Sequence, residues 1–261
     1  MIEMIRELIK YREVLYMIAW RDIRVKYKQS IMGFMWAILM PLIIVSAGIL
    51  VKYALAVVSK KPLEFADIIT VSVKSLPWAF FVSTVRFSAN SLISNSGLVT
   101  KIYFPRVIFP MAAVISQIVD FIVAGSLLVV MLSIAQIGAT VYLLWVPVLI
   151  CVLIVFASAV GILLSAANLF FRDVKYLVEV ILTFAIFFTP VFYEVTMFGK
   201  WGKVLLLNPV APILEGFNDC IVYHQMPRVD WLLYSVLVAS IGIWFSMKVF
   251  GKLEPKFAES I

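Results

Sequence analysis

The sequence predicts an all-α polytopic membrane protein with six transmembrane helices, and three observations support this fold class. Hydrophobic residues make up 64% of the 261 residues and charged residues only 14%, whereas soluble domains carry about 25% charged residues. Residues 34–51 carry no charge, and a helix of about 20 apolar residues spans a bilayer core of about 30 Å. A basic cluster at 21–28 precedes this run, and such clusters orient the adjacent span.

The N-terminal residues 1–18 are predicted to form an amphipathic helix in the membrane interface. One face carries apolar residues at helical spacing and the rest is largely charged. The apolar residues are Met1, Met4, Ile5, Leu8, Tyr11, Leu15 and Ile18, and the charged ones are Glu3, Arg6, Glu7, Lys10, Arg12 and Glu13. This length and charge suit a helix lying in the interface rather than crossing it. Charged and apolar residues interleave over 1–16, which is unlike a cleavable signal peptide.

Six apolar stretches are predicted to cross the membrane. They are 32–57, 67–92, 107–134, 141–168, 174–193 and 231–250. The second is interrupted by Lys74, Pro77 and Arg86. Residues 194–230 hold only short apolar pieces, which are separated by Asn208, Pro209, Pro212 and Gly216. Pieces of this length cannot cross, so we expect re-entrant half-helices that are buried in protein or line a cavity.

The distribution of basic residues predicts the orientation of the chain. Fourteen of the 22 Lys and Arg residues fall on the side of the two termini, and five fall on the other side. Because basic loops stay in the cytoplasm, both termini are expected there. No repeat or linker divides the chain, so we expect one membrane domain over 1–261. Its parts are a cytoplasmic interface helix and basic segment (1–30), a six-helix region (31–250) and a cytoplasmic tail (251–261).

Composition also argues against several functions. The net charge of +7 comes from basic residues beside apolar spans, which is explained better by lipid headgroups than by nucleic acid. Cys151, Cys220 and His224 do not have the spacing of a metal site or disulfide framework. Residues 199–204 lack the spacing and the hydroxyl residue of a phosphate-binding loop. We therefore expect no catalytic site and no metal site on this chain.

Asp120 is the sharpest single candidate, because a lone carboxylate in the middle of a span is costly unless it faces a partner or water. Arg86 in the second span is a plausible partner. An interhelical pair is one interpretation, and a proton or ion relay is the other. No second acidic residue continues a relay, which favours the pair.

Aromatic residues are dense, with 20 Phe, 10 Tyr and 7 Trp. One group is predicted to lie deep in the membrane or at its outer side: Tyr53, Trp78, Phe80, Phe81, Phe184, Phe187, Phe188, Phe192 and Tyr193. These side chains either face lipid or the core, or they form a channel wall on which sugar rings stack and slide. The short basic and aromatic loop 97–106 is either a membrane anchor or a docking element for a cytosolic partner.

Several motifs, taken together and in order, resemble a known family. They are the segment 20–30 with Phe34, Trp36 and Pro41-Leu42, then Leu76-Pro77-Trp78-x-Phe80-Phe81 with Asn90-Ser91-Leu92, then Tyr103-Phe104-Pro105-Arg106-x3-Pro110, then Arg172-Asp173-Val174, Thr189-Pro190-Val191-x-Tyr193 and Leu207-Asn208-Pro209. The chain is similar to permeases of ABC type 2 transporters that export polysaccharides, the Wzm-like O-antigen and teichoic-acid permeases.

The resemblance implies a transport subunit in the bacterial inner membrane without its own ATPase site. It implies a homodimer with two copies of a separate ATPase subunit, which would bind ATP and Mg. In the family a cytoplasmic loop couples to the ATPase, which corresponds here to Thr100, Lys101, Tyr103, Phe104, Pro105 and Arg106. Arg21, Arg24, Lys26 and Lys28 would then meet the headgroup of an undecaprenyl-diphosphate-linked polysaccharide, because positive charge attracts an anionic headgroup.

The chain departs from the family pattern in two places. Val107 stands where an acidic residue often follows Pro-Arg, and Asn218 stands where an arginine often follows Glu-x-Phe. Two alternative functions also remain at this level. One is an ABC type 2 permease for teichoic acid, a drug or a small lipid. The other is a membrane enzyme acting on polyprenyl-linked sugars, which would need clustered acidic residues or a metal-binding carboxylate pair.

Overall fold

The structure is a computed structural model that describes residues 2–28, 35–60, 62, 65–101 and 104–259. Gln29, Ser30 and Phe34 of the first motif, and Tyr103 of the 97–106 loop, lie outside the described residues. The described part of the chain is almost entirely helical and contains no strand. The predicted all-α fold class is confirmed.

The N-terminal region forms two helices, α1 (Ile2–Lys10) and α2 (Arg12–Lys28). A turn at Tyr11 separates the two helices, and α2 extends through the whole basic cluster. Ile18 and Ala19 on α2 are buried. The basic residues of the cluster at 21–28 therefore stand on one helix, one face of which is buried.

Five helical stretches among the described residues are long and apolar enough to cross a bilayer. They belong to α3 (Met35–Ser59), α4 (Phe65–Ser94), α6 (Ile108–Ile134), α7 (Val146–Phe170) with the 3-10 turn Val141–Trp145 before it, and α11 (Val229–Leu253). The short helix α5 (Ser96–Lys101) joins α4 to α6. Helices of this length in a bilayer satisfy all their backbone hydrogen bonds internally.

Helix α4 lies at the centre of the subunit. It packs against α7, α6, α3 and α10 (Val210–Ile221). In their apolar stretches, 78% of the residues of α4 are buried but only 11% of those of α3. Most of the surface of α3 is therefore exposed on the single subunit, where it can contact lipid or another subunit.

The stretch predicted as the fifth crossing does not form one long helix. Helix α8 (Val174–Ala185) has 12 residues and continues only as the 3-10 turn Ile186–Phe188. Together they extend about 24 Å, which is short of the bilayer core of about 30 Å. Pro190 follows at once, and the residue before a proline is disfavoured in a helix. The count of six crossings therefore stays a prediction.

The segment between α8 and α11 consists of short helices, as the sequence predicted. They are the 3-10 segment Val195–Trp201, α9 (Gly202–Leu205) and α10. Every residue of α10 except Glu215 is buried. Backbone that does not span is tolerated at membrane depth when protein covers it, and α10 meets that condition.

Helices α4 and α7 approach closely at Gly161, and replacing this glycine by alanine is expected to destabilise the protein. A Cβ at Gly161 would lie 2.6 Å from the Cβ of the buried Ser88. Because Ser88 Cβ cannot rotate away, the helices would have to separate. We expect Gly161→Ala to lower the free energy of unfolding by about 1–3 kcal/mol, measured by thermal unfolding in detergent.

Gly125→Ala is the matched control, since a Cβ at Gly125 meets nothing within 4 Å. Alanine is also the better helix former, by roughly 0.8–1 kcal/mol. Gly125→Ala is therefore expected to leave stability unchanged or to raise it. Equal effects of the two substitutions would contradict the close approach of α4 and α7.

Candidate functional site

Helix α2 packs against α6, and its long side chains reach α4 and the turn after it. The Arg21 guanidinium donates to Asn95 Oδ1 at 2.6 Å, and the Lys26 ammonium lies 5.0 Å from the centre of the Phe87 ring. The later residue of α2, Lys26, contacts the earlier position, Phe87, and Arg21 contacts the later one, Asn95. Helices α2 and α4 therefore run in opposite directions. Lys26 and Tyr27 both contact Asp120, which lies about 18 Å along α6 from its first residue. The end of α2 therefore stands beside the middle of a membrane helix.

The predicted pair between Arg86 and Asp120 is wrong. Asp120 accepts hydrogen bonds from the Lys26 ammonium and the Tyr27 hydroxyl. Arg86 instead donates through Nε to the two Glu179 oxygens, at 2.8 and 3.0 Å. The pairing follows from packing, because α2 covers the face of α6 that carries Asp120 while Arg86 faces α8.

Tyr27 is held by the same contact. Burial, together with the hydrogen bond to Asp120 and its negative charge, raises the pKa of the Tyr27 hydroxyl. Its proton therefore stays on the oxygen and is available to Asp120. The contact fastens the last turn of α2 to α6 through one cation and one neutral donor.

The opposite, exposed face of α2 forms a shallow basic and aromatic groove of about 340 Å³, which we call the α2 groove. It is lined by Tyr16, Met17, Trp20, Arg21, Arg24, Val25 and Lys28. The Tyr16 and Trp20 rings are stacked with centroids 6.4 Å apart, and the Arg24 guanidinium lies 5.1 Å from the Trp20 ring centre. The predicted headgroup-binding set is thus divided. Arg21, Arg24 and Lys28 line the groove, and Lys26 points away to Asp120.

The predicted aromatic set is also divided. Trp78, Phe80 and Phe81 are buried in the core, and the Phe81 ring stacks on Phe156 with centroids 5.7 Å apart. Phe192 and Tyr193 are half-buried. The exposed members are Tyr53, Phe184, Phe187 and Phe188. The three buried residues therefore pack in the core. The four exposed residues are available to line a path or to contact lipid.

The 97–106 loop is packed on both sides of its undescribed residues. Thr100 and Lys101 end α5, where Val99 is buried. After the gap, the Phe104 ring lies 5.4 Å from Phe109. Pro105 is half-buried, and Arg106 is turned toward the C-terminal end of the chain. The loop is thus anchored to the core at both ends.

Sequence reasoning missed a buried ion pair on α4. The Lys74 ammonium lies 2.7 Å from Glu215 Oε1 and 3.4 Å from the backbone oxygen of Tyr193. Lys74 is fully buried. The signal in the sequence was the lone lysine in an apolar span, which demands an anion. Its partner could not be identified because Glu215 lies 141 residues away.

Acidic groups lie near this pair on the 194–230 segment. The Tyr223 hydroxyl donates to Glu194 at 2.9 Å, and burial with this bond raises the pKa of Tyr223 to about 12. Burial also raises the pKa of Asp219. Among the described residues, no group of three or more His, Cys, Asp or Glu side chains is arranged to hold a metal ion.

The described helices define a multi-pass helical membrane protein, with a basic helix lying along the core. The sequence profile of the ABC-2 type transporter family matches residues 13–222. The chain therefore belongs to the ABC-2 type transporter family. This family supplies the membrane component of ABC transporters, whose partner is an ATPase.

Relatives match along nearly the full chain. The O-antigen export system permease protein RfbA of Myxococcus xanthus is 27% identical over 265 residues, which cover 100% of each chain. A protein of the same description from Klebsiella pneumoniae is 25% identical over 253 residues, covering 95% of this chain and 94% of the relative. A second Klebsiella pneumoniae protein of that description is 23% identical over 249 residues.

Proposed function

We propose that this chain is the membrane subunit of an ATP-driven exporter that moves a lipid-linked polysaccharide of O-antigen type out of the cytoplasm. It works as a homodimer with two copies of a separate ATPase subunit, which bind ATP and Mg²⁺, so this chain needs no cofactor of its own. It lies in the bacterial inner membrane with both termini in the cytoplasm. The full-length similarity to O-antigen export permeases supports this proposal.

The α2 groove is the observation that carries the proposal. Two of its three cations, Arg24 and Lys28, are exposed, and the other face of their helix is fastened to the middle of α6. We propose that an anionic headgroup drawn from the interface toward the transport path meets them there. Guanidinium and ammonium groups bind phosphate oxygens through charge-assisted hydrogen bonds, and Trp20 beside them offers an apolar face. A lipid-linked diphosphate carries both an anionic phosphate group and an apolar lipid chain.

The exposed aromatics suggest where the polymer moves. Tyr53 on α3, Phe184 on α8 and Phe187 and Phe188 after it are exposed on the subunit. Aromatic faces give sugar rings contact area without a specific trap, so a chain can slide over them. We propose that these four residues line the path between the two subunits of the homodimer.

The proposal is tested by removing the two exposed cations of the groove. In Arg24→Ala with Lys28→Ala, we expect the apparent affinity for the lipid-linked substrate to fall about tenfold or more, because each charge-assisted hydrogen bond is worth about 1.5–3 kcal/mol. The measurement is export of lipid-linked O-antigen in cells, together with ATP hydrolysis by the purified transporter as the glycolipid concentration is raised.

Lys200→Ala with Lys203→Ala is the matched control. Both lysines are exposed on the segment between α8 and α11, so this variant loses the same charge on the side predicted to be outside. It is expected to keep normal export. Unchanged export and glycolipid response in the Arg24 and Lys28 variant would refute headgroup binding by the α2 groove. Stimulation by a small lipid but not by the glycolipid would favour a different substrate class.

A further inference from the structure

The described residues that follow α11 fold back onto the subunit. Helix α11 ends at Leu253, and a 3-10 segment, Glu254–Glu259, follows. Pro255 explains the change, because proline lacks the N–H of a continuing helix and restricts the residue before it. We call Glu254–Glu259 the C-terminal segment.

Phe257 fastens this segment to the membrane helices. It is completely buried, with its ring edge-on to Phe250 at 5.1 Å and 5.7 Å from Phe170 at the end of α7. The same apolar cluster includes Val99 of α5 and Phe109 of α6. The C-terminal segment, helix α5 within the 97–106 loop and helix α6 after that loop therefore share one core.

Arg106 and Glu254 connect the C-terminal segment directly to the loop. The backbone N–H of Arg106 donates to Glu254 Oε1 at 2.6 Å, and the Arg106 guanidinium donates to the backbone oxygen of Glu254. Each side chain thus binds the main chain of the other residue. This reciprocal pair fixes the path of both backbones and joins residues 148 positions apart.

The pair gives Arg106 a partner within the subunit. Its guanidinium is turned inward to Glu254, in the loop for which the family resemblance implies a contact with the ATPase. Arg106 lies two residues before the start of α6, where the 97–106 loop meets the membrane helix. If the loop is to transmit movement from a partner to α6, its orientation relative to α6 must be fixed where the two meet.

We propose that Glu254 is a positioning residue, which with Phe257 makes the C-terminal segment a brace that holds the 97–106 loop in the orientation in which an ATPase can engage it. This inference rests on the proposed function and on the docking of that loop onto the ATPase subunit, which the family resemblance implies. The brace acts through the loop and not through its own contact with the partner.

The reciprocal geometry distinguishes this brace from an ordinary ion pair. In Glu254→Gln the side-chain oxygen that accepts from the Arg106 backbone remains, so the brace is expected to hold. In Glu254→Ala that acceptor is lost. Exchanging the charges, with Arg106→Glu and Glu254→Arg, is expected not to restore function, because each bond goes to the main chain. An ordinary side-chain ion pair would give the reverse pattern.

The first measurement uses the full-length subunit alone. A spin label is placed at Gly97→Cys, because Gly97 on α5 is exposed and a Cβ there meets nothing within 4 Å. The two native cysteines, Cys151 and Cys220, are replaced by serine in this background. We expect Glu254→Ala to increase the mobility of the label, and Glu254→Gln to leave the spectrum as it is. An unchanged spectrum in Glu254→Ala overturns the brace.

The second measurement uses the subunit expressed together with its ATPase. We expect Glu254→Ala to lower ATPase co-purification and O-antigen export about tenfold, and Glu254→Gln to stay within about twofold of the unaltered protein. Glu13→Ala, which removes an exposed glutamate on α2, is the matched control and is expected to have no effect. A mobile label with normal co-purification and export overturns the positioning role. Failure of the unaltered subunit to bind any ATPase overturns the proposed function, whatever the label shows.

Discussion

Replacing Lys74 by methionine is expected to lower the free energy of unfolding by about 3–5 kcal/mol, because it leaves a buried carboxylate without its cation. Lys74 has 0% exposure and Glu215 has 18%, with Nζ and Oε1 2.7 Å apart. The pair joins α4, at the centre of the subunit, to α10. The measurement is thermal unfolding of the protein in detergent, with export as a second readout.

Lys52→Met is the matched control, since Lys52 also pairs with a carboxylate at 2.7 Å, that of Asp67. Asp67 is 30% exposed, so water can solvate it when the lysine is gone, and the loss is expected to be smaller. Replacing both members of the buried pair, with Lys74→Met and Glu215→Leu, is expected to recover most of the stability. Similar losses in Lys74→Met and Lys52→Met would show that burial of the Glu215 pair does not matter.

The Lys74→Met variant is also expected to become more stable as the pH is lowered. Burial raises the pKa of Glu215, and Lys74 opposes this rise. Without Lys74 the pKa of Glu215 in the folded state rises further above its unfolded value, so the folded state binds more protons. Stability then falls as pH rises. Unfolding of the variant at about pH 8 and about pH 5 checks the sign.

Asp120→Ala is expected to cost about 2–4 kcal/mol and to reduce export, because the Lys26 ammonium loses its carboxylate partner at membrane depth. Asp120 is the acceptor for both Lys26 and Tyr27, so the last turn of α2 loses these two hydrogen bonds to α6. The α2 groove on the other face of that turn would lose its fixed position. Unfolding in detergent and O-antigen export measure the two effects.

The charge-neutral double variant, Lys26→Met with Asp120→Leu, distinguishes a structural pair from a relay. If the pair only fastens α2 to α6, apolar contact can replace it, and stability and export are expected to recover. A relay needs a titratable carboxylate, so export would stay lost while stability returned. Arg86→Ala is the comparison for the rejected pairing. It removes the partner of Glu179 and is expected to leave the Asp120 contact intact.

The sequence predicted where long and short helices form more accurately than it predicted which side chains contact each other. The short helices of the 194–230 segment and the long apolar helices followed from hydropathy and from the positions of proline and glycine. The stretch 174–193 was the exception, because it is apolar enough to cross but its helix ends before Pro190. In this stretch Pro190 limits the length of the helix, and the mean hydropathy of the stretch does not reflect the effect of a single proline.

The candidate site shows the same division. Phe80 and Phe81 in α4 and Phe187 and Phe188 after α8 give the same signal in the sequence, an aromatic pair in an apolar stretch. The first pair is buried and the second exposed. Whether an aromatic can meet a substrate depends on the rotation of its helix and on its neighbours, and one sequence does not contain that information.

The sequence by itself determined the all-helical membrane fold, because a chain in lipid must satisfy its backbone within each helix and hydropathy reports where that happens. The basic character of α2 was equally plain. Only the tertiary structure decided the partners: Lys26 for Asp120, Glu215 for Lys74 and Glu254 for Arg106. These contacts join residues that are 94, 141 and 148 positions apart, so they depend on how the helices pack and turn.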